Sequence, residues 1–235
     1  MISKKTTESS VLADSDASWT VASVRKDFVD WRLGRKRYAV WAIRLDLPSL
    51  CAANARMRRH LANYLLPRYD RQPHITLRIC GFLGPDKGLG DDYTPVTFGA
   101  QIEFLERALL RPFSITIGSP GTFPSAAYFS VRDDKGGIAR IRQALVGDGP
   151  GEKDFPYVPH VTFGLYRGRF RIAEVLQRMY SCPDPISAQF KINELVLMTY
   201  QASVITGPLT ACCEFDLEQQ RLRILDASAM GVLLR

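Results

Sequence analysis

The chain has few histidines, no paired cysteine motif and no long apolar run, and each shortage removes a class of protein. No stretch approaches the roughly 18 consecutive apolar residues of a membrane-spanning helix, and the first thirty residues hold no apolar core of the kind a secretory leader needs. The five cysteines, Cys51, Cys80, Cys182, Cys212 and Cys213, are odd in number and form no C-x-x-C pair. Cys212 and Cys213 are adjacent in a strand-like run and point to opposite faces. A disulfide framework and a zinc site are therefore not expected, and a reducing cytoplasmic setting fits best. What the chain does have is an ordinary core supply, 46% hydrophobic against 23% charged residues, and a formal net charge of +7. That surplus favours polyanionic partners such as nucleic acid or nucleotides.

The pattern along the 235 residues predicts an N-terminal extension over 1–35, a folded domain over 36–220 and a tail over 221–235. Ser3 to Ser18 is polar and reads as disordered, and Val21 to Leu33 as a short helix. Strands are expected at Tyr38–Leu47, His74–Leu83, Phe113–Gly118, Tyr128–Arg132, His160–Tyr166, Phe190–Tyr200 and Leu209–Leu217. Helices are expected at Leu50–Leu65 (capped by Ser49), Phe98–Leu110, Ile138–Val146 and Ile172–Tyr180. Several strands follow one another without a helix between them, so the class is α+β and not a doubly wound sheet.

Of the three histidines, two share one local frame. Gln72-Pro73-His74-Ile75-Thr76-Leu77 and Val158-Pro159-His160-Val161-Thr162-Phe163 both read Pro-His-apolar-Thr-apolar, each opening a predicted strand, where a proline is tolerated. Residues i and i+2 share a strand face, so each imidazole has a hydroxyl about 6–7 Å away along the strand. A lone histidine at a strand start is most often structural; the repeat of the whole frame reverses that expectation. His60, between Arg59 and Leu61 on a helix, lacks the frame and reads as a surface residue. Cleaving a phosphodiester needs a base for the attacking oxygen and an acid for the leaving one. Imidazole does either near neutral pH, and hydroxyls suit the non-bridging oxygens. No metal or other cofactor is needed.

With these motifs the chain resembles the two-histidine (2H) phosphoesterase superfamily, within it the bacterial 2′-5′ RNA ligase or RNA 2′,3′-cyclic phosphodiesterase type. His74-Ile-Thr76-Leu77 and His160-Val-Thr162-Phe163 carry the likeness. Looser matches are Cys80-Gly-Phe-Leu-Gly84, Arg111 to Pro124 with Tyr128-Phe-Ser-Val131, and Phe190 to Met198. The resemblance implies a two-lobed, pseudo-symmetric α+β fold whose antiparallel sheets flank a central groove, with helices outside. It implies an enzyme that opens a 2′,3′-cyclic phosphate or cuts a 2′-5′ linkage in RNA or a related nucleotide, with His160 as base and His74 as acid or the reverse. Phe123, Tyr128 and Tyr166 are candidates to stack a base. Arg78, Arg167, Arg169 and the run Arg35-Lys36-Arg37 are candidates for phosphate, Arg78 because it falls on the face of His74. The other readings are a non-catalytic RNA-binding module, an enzyme for a small nucleotide such as an ADP-ribose cyclic phosphate or a 2′-5′ oligoadenylate, and an interaction protein docking through its N-terminal extension. A monomer without membrane contact is expected.

Overall fold

The computed structural model describes residues 19–146, 157–184 and 186–234. Its elements run α1 (Arg25–Arg32), β1 (Arg37–Arg44), α2 (Pro48–His60), β2 (His74–Leu83), β3 (Asp92–Tyr93), α3 (Pro95–Ala108), β4 (Phe113–Thr122), β5 (Ala126–Arg132), α4 (Gly137–Val146), β6 (His160–Leu165), α5 (Ile172–Tyr180), β7 (Ala188–Ile192), β8 (Glu194–Gln201), β9 (Thr210–Asp216), β10 (Arg221–Ile224) and α6 (Ala227–Met230). They form two sheets, ordered β10-β9-β8-β1-β2-β3 and β6-β5-β4-β7. All pairings are antiparallel except β2 with β3. The fold is α+β, as the order of strands and helices predicts, and two-lobed, as the resemblance implies.

The two motif strands arise in the same way. β1 leads through α2 to its antiparallel neighbour β2, and β5 leads through α4 to its antiparallel neighbour β6. The helices cross over: α2 packs on β6 of the other sheet, and α4 packs on β2. A Cβ on Gly164 of β6 would come within 2.7 Å of Leu65 just past α2, so glycine is what lets helix and sheet approach there. This exchange binds the lobes through one continuous core that holds Ile75 and Leu77 of β2 together with Val161 and Phe163 of β6, all four without exposure. In each motif the residues between and after His and Thr are thus the anchors, and alternation turns His and Thr the other way.

Several expectations are corrected. The single strand foreseen over Phe190–Tyr200 is two strands in different sheets, β7 and β8, parted at Asn193. The expected tail after residue 220 instead supplies the edge strand β10 and the short helix α6. Ala229, Met230 and Leu233 join the core there. Helix α2 starts at Pro48 with Leu47 as its cap residue and no side-chain cap, so Ser49 does not cap it. Proline at the first turn lacks an N–H that would in any case go unpaired, which fits it to that position. Arg35 is taken up by Asp92 at 2.9 Å and by Asp91, and its guanidinium lies 3.8 Å over the ring of Phe82. It is a structural cation and not a free phosphate ligand. The disorder expected for Ser3–Ser18 falls outside the described residues. No helix among them is long and apolar enough to cross a membrane.

Candidate active site

His74 opens β2 and His160 opens β6, and the two rings are held alike. His74 Nδ1 lies 2.8 Å from the carbonyl of Gln72, and His160 Nδ1 lies 2.7 Å from the carbonyl of Val158. A carbonyl can only accept, so Nδ1 carries the proton in both rings and each Nε2 of the neutral imidazole is left with a lone pair. The Gln72 carbonyl is itself fixed: its side-chain amide donates to Leu209 O at 3.2 Å and accepts from Leu209 N at 2.9 Å.

A hydrogen bond brings the motifs together. Tyr157, three places before His160, donates its hydroxyl to the backbone carbonyl of Thr76 at 2.8 Å. Arg142 of α4 lies 3.6 Å over the Tyr157 ring and bonds to the carbonyl of Leu77. The sequence offered no sign of this, since a tyrosine after a loop has no periodic meaning. Tyr157→Phe keeps the ring and loses the bond. We expect it to lower kcat about tenfold with KM little changed, because misplacement of reacting groups costs rate more than binding; steady-state kinetics on a mononucleotide substrate decide it.

Burial sets the electrostatics. His74 is 7% exposed, and desolvation pulls its pKa down to about 4 against the upward pull of the Gln72 bond, with the positive charges of Arg71 and His160 adding to the fall. His160 is also lowered by burial, offset in part by its Val158 bond. A depressed histidine costs stability in acid. The unfolded ring takes a proton near pH 6.5 and the folded one only near 4, so the unfolded state gains protons first as pH falls. By pH 4 the cost is about 3 kcal/mol. His74→Gln is therefore expected to lose less stability than the parent between pH 6.5 and 4; denaturant unfolding at both ends of that window is the check.

Two of the three candidate aromatics lie beside His160. The Phe123 ring stands edge-on at 4.9 Å and Tyr128 at 5.4 Å, the two themselves 4.4 Å apart. Tyr128 lies opposite Thr162 across the β5–β6 pair, and Ser130 lies opposite His160, so all four share a face. Ser130 is a hydroxyl that motif reading missed. On the other side Arg44 lies opposite His74 and Ala42 opposite Thr76. Arg44 pairs with Glu194 at 3.2 Å and with Asp46 at 3.6 Å. The side chains of Thr76 and Thr162 are partly exposed and make no hydrogen bond to any described residue.

Three candidates are not brought to the strand faces that carry the two imidazoles. Arg78 loses the face of His74 to a bulge. The register steps from Ala42–Thr76 to Trp41–Arg78, which sets Arg78 on the face of the buried Trp41, while Ile79, 54% exposed and opposite Val40, takes the face of Thr76. Tyr166 has no exposed surface, and its hydroxyl bonds to Thr122, so it cannot stack a base. Arg167 is exposed beyond the last residue of β6, whereas His160 is the first, and its backbone N–H bonds to Tyr64 O. Among the described residues no group of three or more His, Cys, Asp or Glu side chains is placed to hold a metal ion.

Residues 47–203 match a family model described as the 2′-5′ RNA ligase superfamily. Among solved structures, LigT of E. coli complexed with 3′-AMP is similar with a TM-score of 0.52 and 16% identity, over 77% of this chain and 98% of that one. The Thermus thermophilus protein TT0787 is similar with a TM-score of 0.50 and 16% identity, over 77% and 97%. At such identity these two establish likeness of fold. No curated protein matches the chain.

Proposed function

The chain belongs to the 2′-5′ RNA ligase superfamily, and from that premise we propose that it is a metal-independent phosphodiesterase that opens 2′,3′-cyclic phosphates or cuts 2′-5′ linkages at RNA ends with His74 and His160. The observation that carries this reading is the Tyr157–Thr76 hydrogen bond between two identically held imidazoles. It ties the two motifs to each other, and neither threonine hydroxyl makes a hydrogen bond to a described residue, which supports a shared site for one phosphate.

The difference in burial supports one order of roles. His74, the more deeply desolvated ring, is neutral at pH 7 and is the base: its Nε2 takes a proton from water as the water oxygen attacks phosphorus. His160, nearer the opening, is recharged by the anionic substrate and hands its Nε2 proton to the departing ribose oxygen. One P–O bond forms, one breaks, and the proton passes from the acid while another arrives on the base, so the pair exchanges states each turnover. This reverses the order first expected from the sequence. The threonines donate to the non-bridging oxygens, and Phe123 and Tyr128 offer faces for the adjoining base.

Incubating the protein with 2′,3′-cyclic nucleotides, 2′-5′ dinucleotides and cyclic-phosphate-ended RNA, with EDTA present, tests the proposal. Conversion of one of them to a monophosphate end, undiminished by EDTA, is the expected result. No turnover of any of the three would sink it and favour a module that only binds RNA.

A further inference from the structure

Residues ahead of the matched region form part of the surface beside the hairpin that carries Phe123. Thr20 is 1% exposed; its backbone N–H bonds to Phe170 O at 2.9 Å, and its hydroxyl donates to Gly168 O at 2.9 Å and accepts from Phe170 N at 2.8 Å. Val21 N bonds to Pro124 O at 2.7 Å and Ser23 N to Tyr166 O at 3.0 Å. The segment Trp19–Ser23 is thus strapped between the run 166–171 and the hairpin tip whose Phe123 borders His160. At its outer end Trp19 is 39% exposed, with Arg169 4.8 Å and Arg171 5.4 Å from its ring. Arg167, Arg169 and Arg171 alternate along this run and are all exposed, and none makes an ion pair with a described residue. The nearby carboxylate, Glu174, is engaged by the Tyr64 hydroxyl at 2.6 Å.

A half-exposed indole with two guanidinium groups over its ring, neither in an ion pair with a described residue, joins aromatic surface for a base to cations for the phosphates of a single strand. Val21 connects it to Pro124, so it lies along the surface that leads away from Phe123, with Trp19 and Val21 roughly 7 Å apart along extended chain. We propose that Trp19, Arg169 and Arg171 form a second contact for single-stranded RNA, taking a nucleotide beyond the scissile one. This rests on the RNA reading of the groove and narrows it: the preferred substrate is a polynucleotide, and the N-terminal segment is part of its binding surface.

The test uses the full chain, a short single-stranded RNA without a cyclic end for binding by fluorescence anisotropy, and a 2′,3′-cyclic mononucleotide for turnover. Trp19→Ala is expected to weaken oligonucleotide binding about tenfold while Trp19→Phe keeps most of it. Arg169→Gln with Arg171→Gln is expected to lessen the slope of log K against log salt by about 0.7 per arginine. Mononucleotide turnover should stay within twofold of the parent in all three. Unchanged RNA affinity in both the alanine and the double glutamine variants would overturn the proposal, as would an equal fall of RNA binding and mononucleotide turnover. Absence of mononucleotide turnover in the parent counts against the phosphodiesterase reading, while the binding arm still decides this one.

Discussion

Replacing His74 or His160 with alanine is expected to lower kcat on a 2′,3′-cyclic phosphate by about 10²–10⁴-fold each, the range in which a positioned acid or base acts. The two losses should not multiply, because base and acid serve a single displacement and removal of either leaves the partner with little to do. The pH profile separates them. The neutral form of His74 is needed, so its loss removes the limb on which rate rises with pH; the protonated form of His160 is needed, so its loss removes the limb on which rate falls. If instead His74→Ala abolishes the falling limb, the roles are exchanged while the chemistry stands. A loss below tenfold for either variant would refute the assignment altogether. Unfolding free energies measured beside the rates separate lost chemistry from lost fold: His160 is partly exposed, whereas His74 is 7% exposed and its truncation leaves a cavity at neutral pH.

The motif was legible because strand periodicity is short-ranged. Ile75 and Val161 had to turn inward, and they do so with no exposure; once they anchor β2 and β6, the placement of His and Thr follows from alternation. The same rule failed three residues further on. Nothing in Leu77-Arg78-Ile79 announces a bulge, which depends on how β1 pairs with β2, and so simple alternation puts Arg78 on the face of His74 where the register does not. Phe190–Tyr200 reads as one strand because no proline or glycine interrupts it; that Asn193 parts two sheets depends on where β4 and β1 wait for partners. Tyr166 is an aromatic close to a motif in sequence, yet its position just past β6 puts it in the core. Gln72, Tyr157 and Ser130 could not be found at all. Their parts are played through Leu209, Thr76 and His160, and such pairings exist only after the chain has folded. The strap around Thr20 lies in what composition marked as an extension, since one buried threonine and a tryptophan are too few to register as a pattern.

Thr76→Val and Thr162→Val should each lower kcat roughly 10²-fold, the lower end of what one donor to a developing oxyanion contributes. Valine is nearly isosteric with threonine and suits a strand at least as well, so packing and register persist. Neither hydroxyl has a partner among the described residues, so its removal strands no donor or acceptor within the protein. Unfolding free energies should therefore stay within about 0.5 kcal/mol of the parent. That separation of activity from stability is the point of the experiment. A threonine serving only to pack would show the reverse, lost stability with rate intact. The double variant adds a test of geometry. If the two hydroxyls bind different non-bridging oxygens, their effects approach the product of the singles; if both serve one oxygen, the second replacement adds little. A double variant retaining more than a tenth of parental kcat would mean that the phosphate lies elsewhere, and with it the groove between β2 and β6 would lose its claim to be the site of chemistry.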